Sequence, residues 1–164
     1  MKTPELDRAD RILLALLQRD GRMSAQALSE AVHLSARATL NRVRRLEEQG
    51  LIEGYRATLN RMALGEHVGV FAEVSLKDQR QATIQRFQKR MQACPEVVAC
   101  WLVSGRYDYL VRLGCRDLAH YRDLTSGWLD DVALGIERIV TNTELQTIKE
   151  FAGFPLPGEP RAGS

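Results

Sequence analysis

The chain has 164 residues, of which 45% are hydrophobic and 27% are charged, a composition typical of a globular protein with one large or two small domains. Its net charge of +2 is too small to indicate a nucleic-acid partner by itself, but residues 1–65 hold eleven basic and eight acidic residues, whereas the remainder holds twelve and thirteen. The cysteines show no CxxC spacing, which disfavours a zinc site or a disulfide framework, and the lack of a long apolar run or signal peptide predicts a cytoplasmic location with no membrane partner.

Three short helices are predicted in the first third of the chain. Asp7 is expected to cap the first helix, which Asp20 ends. Ser24 caps a second helix, and Ser35 caps a third that runs to about Gln49. A tight turn joins the second helix to the third, and an extended wing or arm follows the third.

The third helix is amphipathic. Leu40, Val43 and Leu46 fall at i, i+3 and i+6 and are expected to face the other two helices. A solvated basic face on a structural helix is the simpler interpretation of the arginines, but the serine cap, the turn and the short preceding helix favour entry into a DNA groove. The candidate DNA-binding residues are Ser35, Arg37, Ala38, Thr39, Asn41, Arg42, Arg44 and Arg45.

These side chains divide by the part of DNA that each can contact. Arginine can pair bidentately with guanine and asparagine with adenine, so Arg37, Asn41 and Arg45 are expected nearest the base edges. Arg42 and Arg44, with the capped helix N-terminus, are better suited to phosphates. One monomer makes few contacts, so useful affinity requires a dimer that reads two half-sites on double-stranded DNA.

The second half of the chain predicts a different kind of fold. The expected elements are a strand at 68–76, a helix at 80–93, strands at 97–103 and 107–113 joined by a Gly105-Arg106 turn, a helix capped by Asp117 with Leu118, Tyr121, Leu124 and Trp128 inward, and a strand at 136–148. The order β-α-β-β-α-β is that of a ferredoxin-like domain, with four antiparallel strands and both helices on one face. The other face needs cover, which for a domain of this size usually means a partner subunit.

The predicted class is therefore α+β, with an N-terminal winged-helix-like helix-turn-helix domain and a C-terminal ferredoxin-like domain. The expected boundaries are 1–60 for the first domain, 61–66 for a linker, 67–150 for the second domain and 151–164 for a flexible tail rich in proline and glycine.

The sequence resembles the Lrp/AsnC, or leucine-responsive, family over about residues 5–150. The resemblance is carried by LDRADRILLALLQRDGR, LSEAVHLS, RVRRLEEQGLIEGYRATLN and LVSGRYDYLVR. It implies a transcriptional regulator that binds DNA sequence-specifically and needs no cofactor. It also implies that the second domain serves effector binding and oligomerisation, with homodimers formed through paired sheets, frequent assembly into octamers, and an amino-acid effector held between dimers.

The resemblance places the effector site at the hairpin turn, in Ser104, Gly105, Arg106, Tyr107, Asp108 and Tyr109. Glycine lets the backbone approach a ligand closely, and backbone amides and Asp108 can engage the carboxylate and ammonium of a zwitterion. The simpler interpretation is a plain turn flanked by strand tyrosines.

Two other functions are compatible with parts of the sequence. Some proteins that resemble this family decarboxylate siroheme-type tetrapyrroles and need histidines in a cleft, but His33, His67 and His120 share no spacing and the basic helix is retained. An architectural DNA-binding protein with an unused effector pocket is the remaining alternative.

Overall fold

The computed structural model describes residues 5–60, 63 and 68–156, so the expected linker at 61–66 lies outside the described residues except for Ala63. The chain forms two compact units, with boundaries between Thr58 and Leu59 and again between Ile148 and Lys149. The unit that contains the N-terminal helices therefore also takes in the segment that follows Ile148.

The N-terminal helices are α1, Arg8–Arg19, α2, Ala25–Val32, and α3, Ala36–Glu48. The three predicted caps are confirmed. Asp7 and Asp10 form a capping box, in which each carboxylate accepts the other residue's backbone N–H, at 2.9 and 3.3 Å. Ser24 and Ser35 each accept a backbone N–H from the first turn of their helix at 3.2 Å.

The helices pack around a small apolar core, and the phase of α3 differs from the prediction. Leu40 is 42% exposed, whereas Thr39 is fully buried. The inward positions are 39, 43 and 46, spaced i, i+4 and i+7, which is also a helical spacing, so the apolar Leu40 was wrongly placed inward. The buried core residues are Leu13, Leu28, Val32, Val43 and Leu46.

The arm after α3 contains no assigned helix or strand between residues 53 and 60. It is held by Tyr55, whose hydroxyl donates to Glu47 Oε1 at 2.9 Å. Burial, with Glu47 as a second cause, raises the pKa of Tyr55 to about 12. The Tyr55 ring lies against Gly21, where a β-carbon would come within 2.9 Å of it.

The C-terminal segment reaches back to α1. The side-chain amide of Gln18 donates to the carbonyl of Phe154 and accepts from its N–H, both at 2.9 Å. Gly153, at φ 115°, permits this approach, because a β-carbon there would overlap the Gln18 side chain. Residues 157–164 of the expected tail lie outside the described residues, and the flexibility of the tail stays a prediction.

The second unit is a four-stranded antiparallel sheet with two helices. Its elements are β1, Val68–Leu76, α4, Gln81–Ala93, β2, Val97–Leu102, β3, Tyr109–Cys115, α5, Leu118–Asp130, a short 3-10 helix, Val132–Leu134, and β4, Ile136–Thr143. The strand order is β2-β3-β1-β4. The predicted ferredoxin-like order is confirmed.

The two faces of the sheet differ in cover. Val70, Ala72 and Val74 alternate along β1 toward the helices and are fully buried with Phe87 and Trp128. The opposite face is named here the open face, and its members include Phe71, Glu73, Trp101, Leu110, Arg112, Val140 and Asn142. On that face Trp101 is 47% exposed and Val140 is 37% exposed, so part of its apolar area is open to solvent among the described residues.

Three details of this unit differ from the sequence prediction. The last strand ends at Thr143, not at 148, because its final backbone bond, Glu144 N–H to Gly69 O at 2.8 Å, is reached where β1 begins. Leu118 is 53% exposed, since the inward stripe of α5 runs through Tyr121 and Trp128. The strand β3 starts at Tyr109 and not at 107 as predicted, so the turn between β2 and β3 spans 103–108. No helix in the described part of the chain is both long and apolar enough to cross a membrane.

Candidate nucleic-acid interface and effector cleft

The outward side of α3 presents three polar side chains that no described residue restrains. Arg37, Asn41 and Arg44 are exposed, and within the described residues no hydrogen bond or ion pair engages their side chains. Arg37 and Asn41 are four residues apart and therefore share one side of the helix. Ser35 and the half-buried Ala38 lie at the helix N-terminus, where the Ser35 hydroxyl accepts the Ala38 N–H. This surface is open to a ligand without rearrangement.

Arg42 and Arg45 lie in a different environment, because both are bound to the start of α1. Arg42 Nη1 lies 2.6 Å from Asp7 Oδ2 and 3.0 Å from Asp10 Oδ1, and Arg45 Nη2 lies 2.6 Å from Asp10 Oδ2. These four residues are named the carboxylate clamp. The sequence prediction placed both arginines against DNA without this engagement, since the partners are more than thirty residues away along the chain.

Charges in the carboxylate clamp stabilise one another. Hydrogen bonds to Asp7 and then Asp10 raise the pKa of the Arg42 guanidinium. The backbone N–H of Asp10, followed by the Arg42 side chain, lowers the pKa of the Asp7 carboxyl. Both shifts favour the ionised forms of Arg42 and Asp7.

Thr39 does not belong to this surface, and its inclusion among the DNA-binding candidates is corrected. Its side chain is fully buried in the helical core. Its hydroxyl has no hydrogen-bond partner among the described residues. A buried side chain on the inner side of α3 cannot contact a duplex while the core is intact.

The hairpin turn between β2 and β3 borders a cleft with a volume of about 620 Å³. Four of the six predicted effector residues line it: Gly105, Arg106, Tyr107 and Asp108. Gly105 has φ 136°, a conformation that favours glycine. The remaining lining residues are Ser75, Leu76, Gln79, Glu137 and Arg138.

Asp108 anchors the turn to the end of β1. Its Oδ2 accepts the N–H of Leu76 at 2.7 Å, and its Oδ1 accepts from Gln79 Nε2 at 2.8 Å. Its own N–H donates to the carbonyl of Val74 at 3.0 Å. Each carboxylate oxygen of Asp108 therefore already accepts one hydrogen bond. These bonds hold the turn against the end of β1 and so shape the cleft.

Arg106 crosses from the turn to the open face of the sheet. Its Nη2 lies 3.1 Å from both oxygens of Glu73. The Glu73 side chain is 14% exposed and also accepts from Asn142 Nδ2 at 3.3 Å, while the Arg106 side chain is 77% exposed. Arg106 thus lines the cleft while its Nη2 is held by the mostly buried carboxylate of Glu73.

The other two predicted effector residues lie outside this cleft. Ser104 is exposed and does not line it. Tyr109 is 2% exposed on the helix side, where its ring centroid is 4.5 Å from that of Phe87 and its hydroxyl accepts from Gln88 at 3.2 Å. Tyr109 is a core residue in this chain, and its assignment to the turn site is corrected.

Sequence reasoning missed Gln79, Glu137 and Arg138. Gln79 follows β1, and Arg138 pairs with Ser75 across β1 and β4. The strand order places β4 beside β1, so the predicted ferredoxin-like topology could have identified Glu137 and Arg138 as neighbours of the end of β1. No local pattern marked Gln79.

Comparison with protein families gives two matches that together cover most of the chain. Residues 69–154 match the Lrp/AsnC ligand binding domain. Residues 6–53 match a winged helix-turn-helix DNA-binding domain. The first match covers the open face and the cleft at the hairpin turn, and the second covers α1, α2 and α3.

Relatives of known role align over nearly the whole chain. The transcriptional regulatory protein DoeX of Halomonas elongata is 40% identical over 146 residues, which are 88% of this chain and 91% of that protein. The Bkd operon transcriptional regulator of Pseudomonas aeruginosa is 42% identical over 152 residues, 93% of this chain and 99% of that protein.

Solved structures show the same fold. A transcriptional regulator from Neisseria meningitidis, crystallised as a complex with L-Met, superposes with a TM-score of 0.87 at 27% identity, covering 93% of this chain and 98% of that one. An AsnC family transcriptional regulator from Agrobacterium tumefaciens gives 0.84 at 27% identity, covering 92% and 97%.

Proposed function

The chain belongs to the Lrp/AsnC family of effector-responsive, DNA-binding transcriptional regulators, and we propose that it reads its operator with the exposed side of α3 and senses a small amino acid at the hairpin turn. The observation that carries the proposal is the pairing of an unrestrained basic side on a serine-capped α3 with a separate charged cleft in the second unit. The names of the Halomonas and Pseudomonas relatives, both transcriptional regulators, support a DNA-binding role rather than a catalytic one.

Base contacts are proposed for Arg37 and Asn41, and phosphate contacts for Arg44, Ser35 and the first amides of α3. The side chains of Arg37, Asn41 and Arg44 support this assignment, because they are exposed and have no partner within the described residues. They therefore lose no internal hydrogen bond when they bind DNA. The helix N-terminus adds a favourable dipole for a phosphate.

A homodimer is the proposed DNA-binding species. One α3 covers a single half-site, and two symmetric copies are needed for useful affinity. The open face supports this, because Trp101, Leu110 and Val140 lie on it and a second copy would cover them. Assembly of dimers into larger species such as octamers is proposed on the family resemblance. The cytoplasm, where the DNA target lies, is the proposed location.

The effector is proposed to be an amino acid that binds in the cleft at the turn, with a second dimer completing the site. The L-Met complex of the Neisseria relative supports this ligand class. The cleft offers guanidinium groups for a carboxylate from Arg106 and Arg138, and a carboxylate for an ammonium from Glu137. The effector works by binding one assembly state more tightly than another, since equal binding would shift nothing.

Selection from random duplex DNA tests the DNA-binding proposal. The full-length protein is expected to enrich a palindromic sequence. Arg37→Ala or Asn41→Ala should weaken binding to that sequence by about 1–3 kcal/mol and relax specificity. Arg44→Ala should weaken all sequences and reduce the salt dependence, because a phosphate contact releases counterions.

Arg86→Ala is the matched control, because Arg86 is an exposed arginine on α4 in the other unit. It removes the same charge and should leave affinity unchanged. Unchanged affinity in all three α3 variants would contradict the DNA-binding surface proposed here.

Calorimetric titration with each of the twenty amino acids tests the effector proposal. We expect heat of binding for a small subset, a change in particle size by light scattering, and a changed DNA footprint. Arg106→Ala should weaken that binding, whereas Arg90→Ala on α4 should not. If no amino acid alters assembly or footprint, the effector-independent architectural role is favoured; binding of a siroheme-type tetrapyrrole would instead favour the enzyme.

A further inference from the structure

We propose that Asp10 is a positioning residue for DNA recognition, which fixes Arg42 as an anchor and aims Arg45 so that its remaining donors contact the duplex. The inference rests on the proposed function, in which the exposed side of α3 reads DNA. Its subject is the carboxylate clamp, whose carboxylates come from α1 and whose guanidinium groups come from α3.

Burial makes the clamp persistent. Asp10 is 1% exposed, and its carboxylate receives three donors: the Asp7 N–H at 3.3 Å, Arg42 Nη1 at 3.0 Å and Arg45 Nη2 at 2.6 Å. A buried carboxylate that loses its cationic partners is strongly destabilising. A phosphate cannot therefore draw both arginines away from Asp10 without disrupting the packing of α1 against α3.

The two arginines differ in what they leave available. Arg42 Nη1 is shared between Asp7 and Asp10, and the side chain is 29% exposed. Arg45 contacts the clamp through Nη2 alone, and its side chain is 47% exposed. A guanidinium carries five N–H donors in a rigid plane, so Arg45 can hold Asp10 with one edge and present the other to solvent.

Position on α3 places that free edge on the DNA-reading side. Arg37, Asn41 and Arg45 are spaced i, i+4 and i+8 and lie along one side of the helix. Since Asp10 already restricts the rotamer of Arg45, binding costs less side-chain entropy than it would for an unrestrained arginine. Asp10 itself never touches DNA; it acts through Arg45.

A double-mutant cycle on the full-length protein tests this relation, with affinity for the selected duplex as the readout. Asp10→Asn keeps the shape but removes the charge, and it should weaken binding about tenfold, as expected for one charge-assisted hydrogen bond. In an Arg45→Gln background the same change should weaken binding less than about twofold, because the side chain it positions is gone. In an Arg44→Gln background the full effect of Asp10→Asn should remain.

An equal loss from Asp10→Asn in all three backgrounds would overturn the inference, since a residue that only supports the fold affects every background alike. Failure of the proposed function gives a different result. In that case Arg37→Ala, Asn41→Ala and Arg44→Ala would leave DNA binding unchanged.

If Asp10→Asn does not fold, Arg45→Lys decides the question with Asp10 intact. Lysine keeps the charge but lacks a second edge, so it cannot hold Asp10 and contact DNA together. Affinity should fall to that of Arg45→Gln. Affinity equal to that of the unchanged protein would mean that charge alone matters, and Asp10 would have no positioning role.

Discussion

Replacing Thr39 by valine should stabilise the helical unit and leave DNA binding unchanged. Thr39 is fully buried on α3, and its hydroxyl has no hydrogen-bond partner among the described residues. Valine has nearly the same shape, with a methyl group in place of the hydroxyl. The substitution therefore removes an unsatisfied polar atom without opening a cavity.

The magnitude follows from two terms. An unsatisfied buried hydroxyl costs about 1–3 kcal/mol, and this cost disappears in the variant. The helix propensities of threonine and valine are nearly equal, so the backbone contributes little. We expect Thr39→Val to raise the free energy of unfolding by about 1–2 kcal/mol, with a melting temperature higher by roughly 4–8 °C for each kcal/mol in a domain of this size.

Hydrogen exchange of the amides in α1, α2 and α3 is the appropriate assay, because the chain has two units that need not unfold together. Affinity for the selected duplex is measured on the same samples. Thr58→Val is the matched control: Thr58 is exposed in the same unit, and its change should stay within about 0.5 kcal/mol.

Either of two results would refute the reasoning. A loss of stability in Thr39→Val would mean that the hydroxyl makes a bond that the packing needs. A loss of DNA affinity comparable to that of Arg37→Ala would return Thr39 to the reading surface and would require α3 to be rotated about its axis.

Three further substitutions test other parts of the molecule. Asp108→Asn should destabilise the sheet unit by about 1–3 kcal/mol in urea unfolding, because an amide cannot accept from both donors that the carboxylate satisfies; an unchanged midpoint would remove the anchoring role. Because the pKa of Tyr55 rises from 10.0 to about 12 on folding, its contribution to stability is complete below pH 10 and is lost as the pH rises toward 12. Tyr55→Phe should flatten that decline and remove a tyrosinate absorbance step near pH 12, and a stability profile identical to that of the parent would contradict this prediction. His33 has φ 54°, so His33→Gly should stabilise the helical unit by about 0.5–1 kcal/mol in thermal melts, and destabilisation would show that its side chain matters more than its backbone.

Helix starts and the order of elements could be predicted from the sequence. Asp7, Ser24, Ser35 and Asp117 are short polar residues directly before amphipathic stretches, and each caps its helix in the structure. The alternation of apolar residues likewise marked β1. These signals are local, since the cap and the bonds it makes lie within four residues.

The phase of α3 and the partners of charged side chains could not be predicted in the same way. Leu40 and Thr39 differ by 100° around the helix, and both fit a helical stripe with Val43 and Leu46, so polarity alone pointed to the wrong one. The bonds of Arg42 and Arg45 to Asp10 join residues 32 and 35 positions apart.

The hairpin turn between β2 and β3 shows the same limit. Its position and its glycine were visible in the sequence, whereas the bonds of Asp108 to Leu76 and Gln79 depend on the strand register. The sequence prediction assigned the Asp108 carboxylate to a ligand, but in the structure it already accepts two hydrogen bonds from its own chain. Those bonds become visible only once the pairing of the strands is known.

The two hydrogen bonds between the Gln18 side chain and the Phe154 backbone attach the C-terminal segment to α1. The backbone leaves the helical unit after Thr58 and returns to it at Lys149. The sheet unit is therefore inserted within the helical unit and is joined to it by the backbone at both ends. Ending the chain before Gly153 would remove both of these hydrogen bonds and would leave residues 149–152 without this attachment to α1.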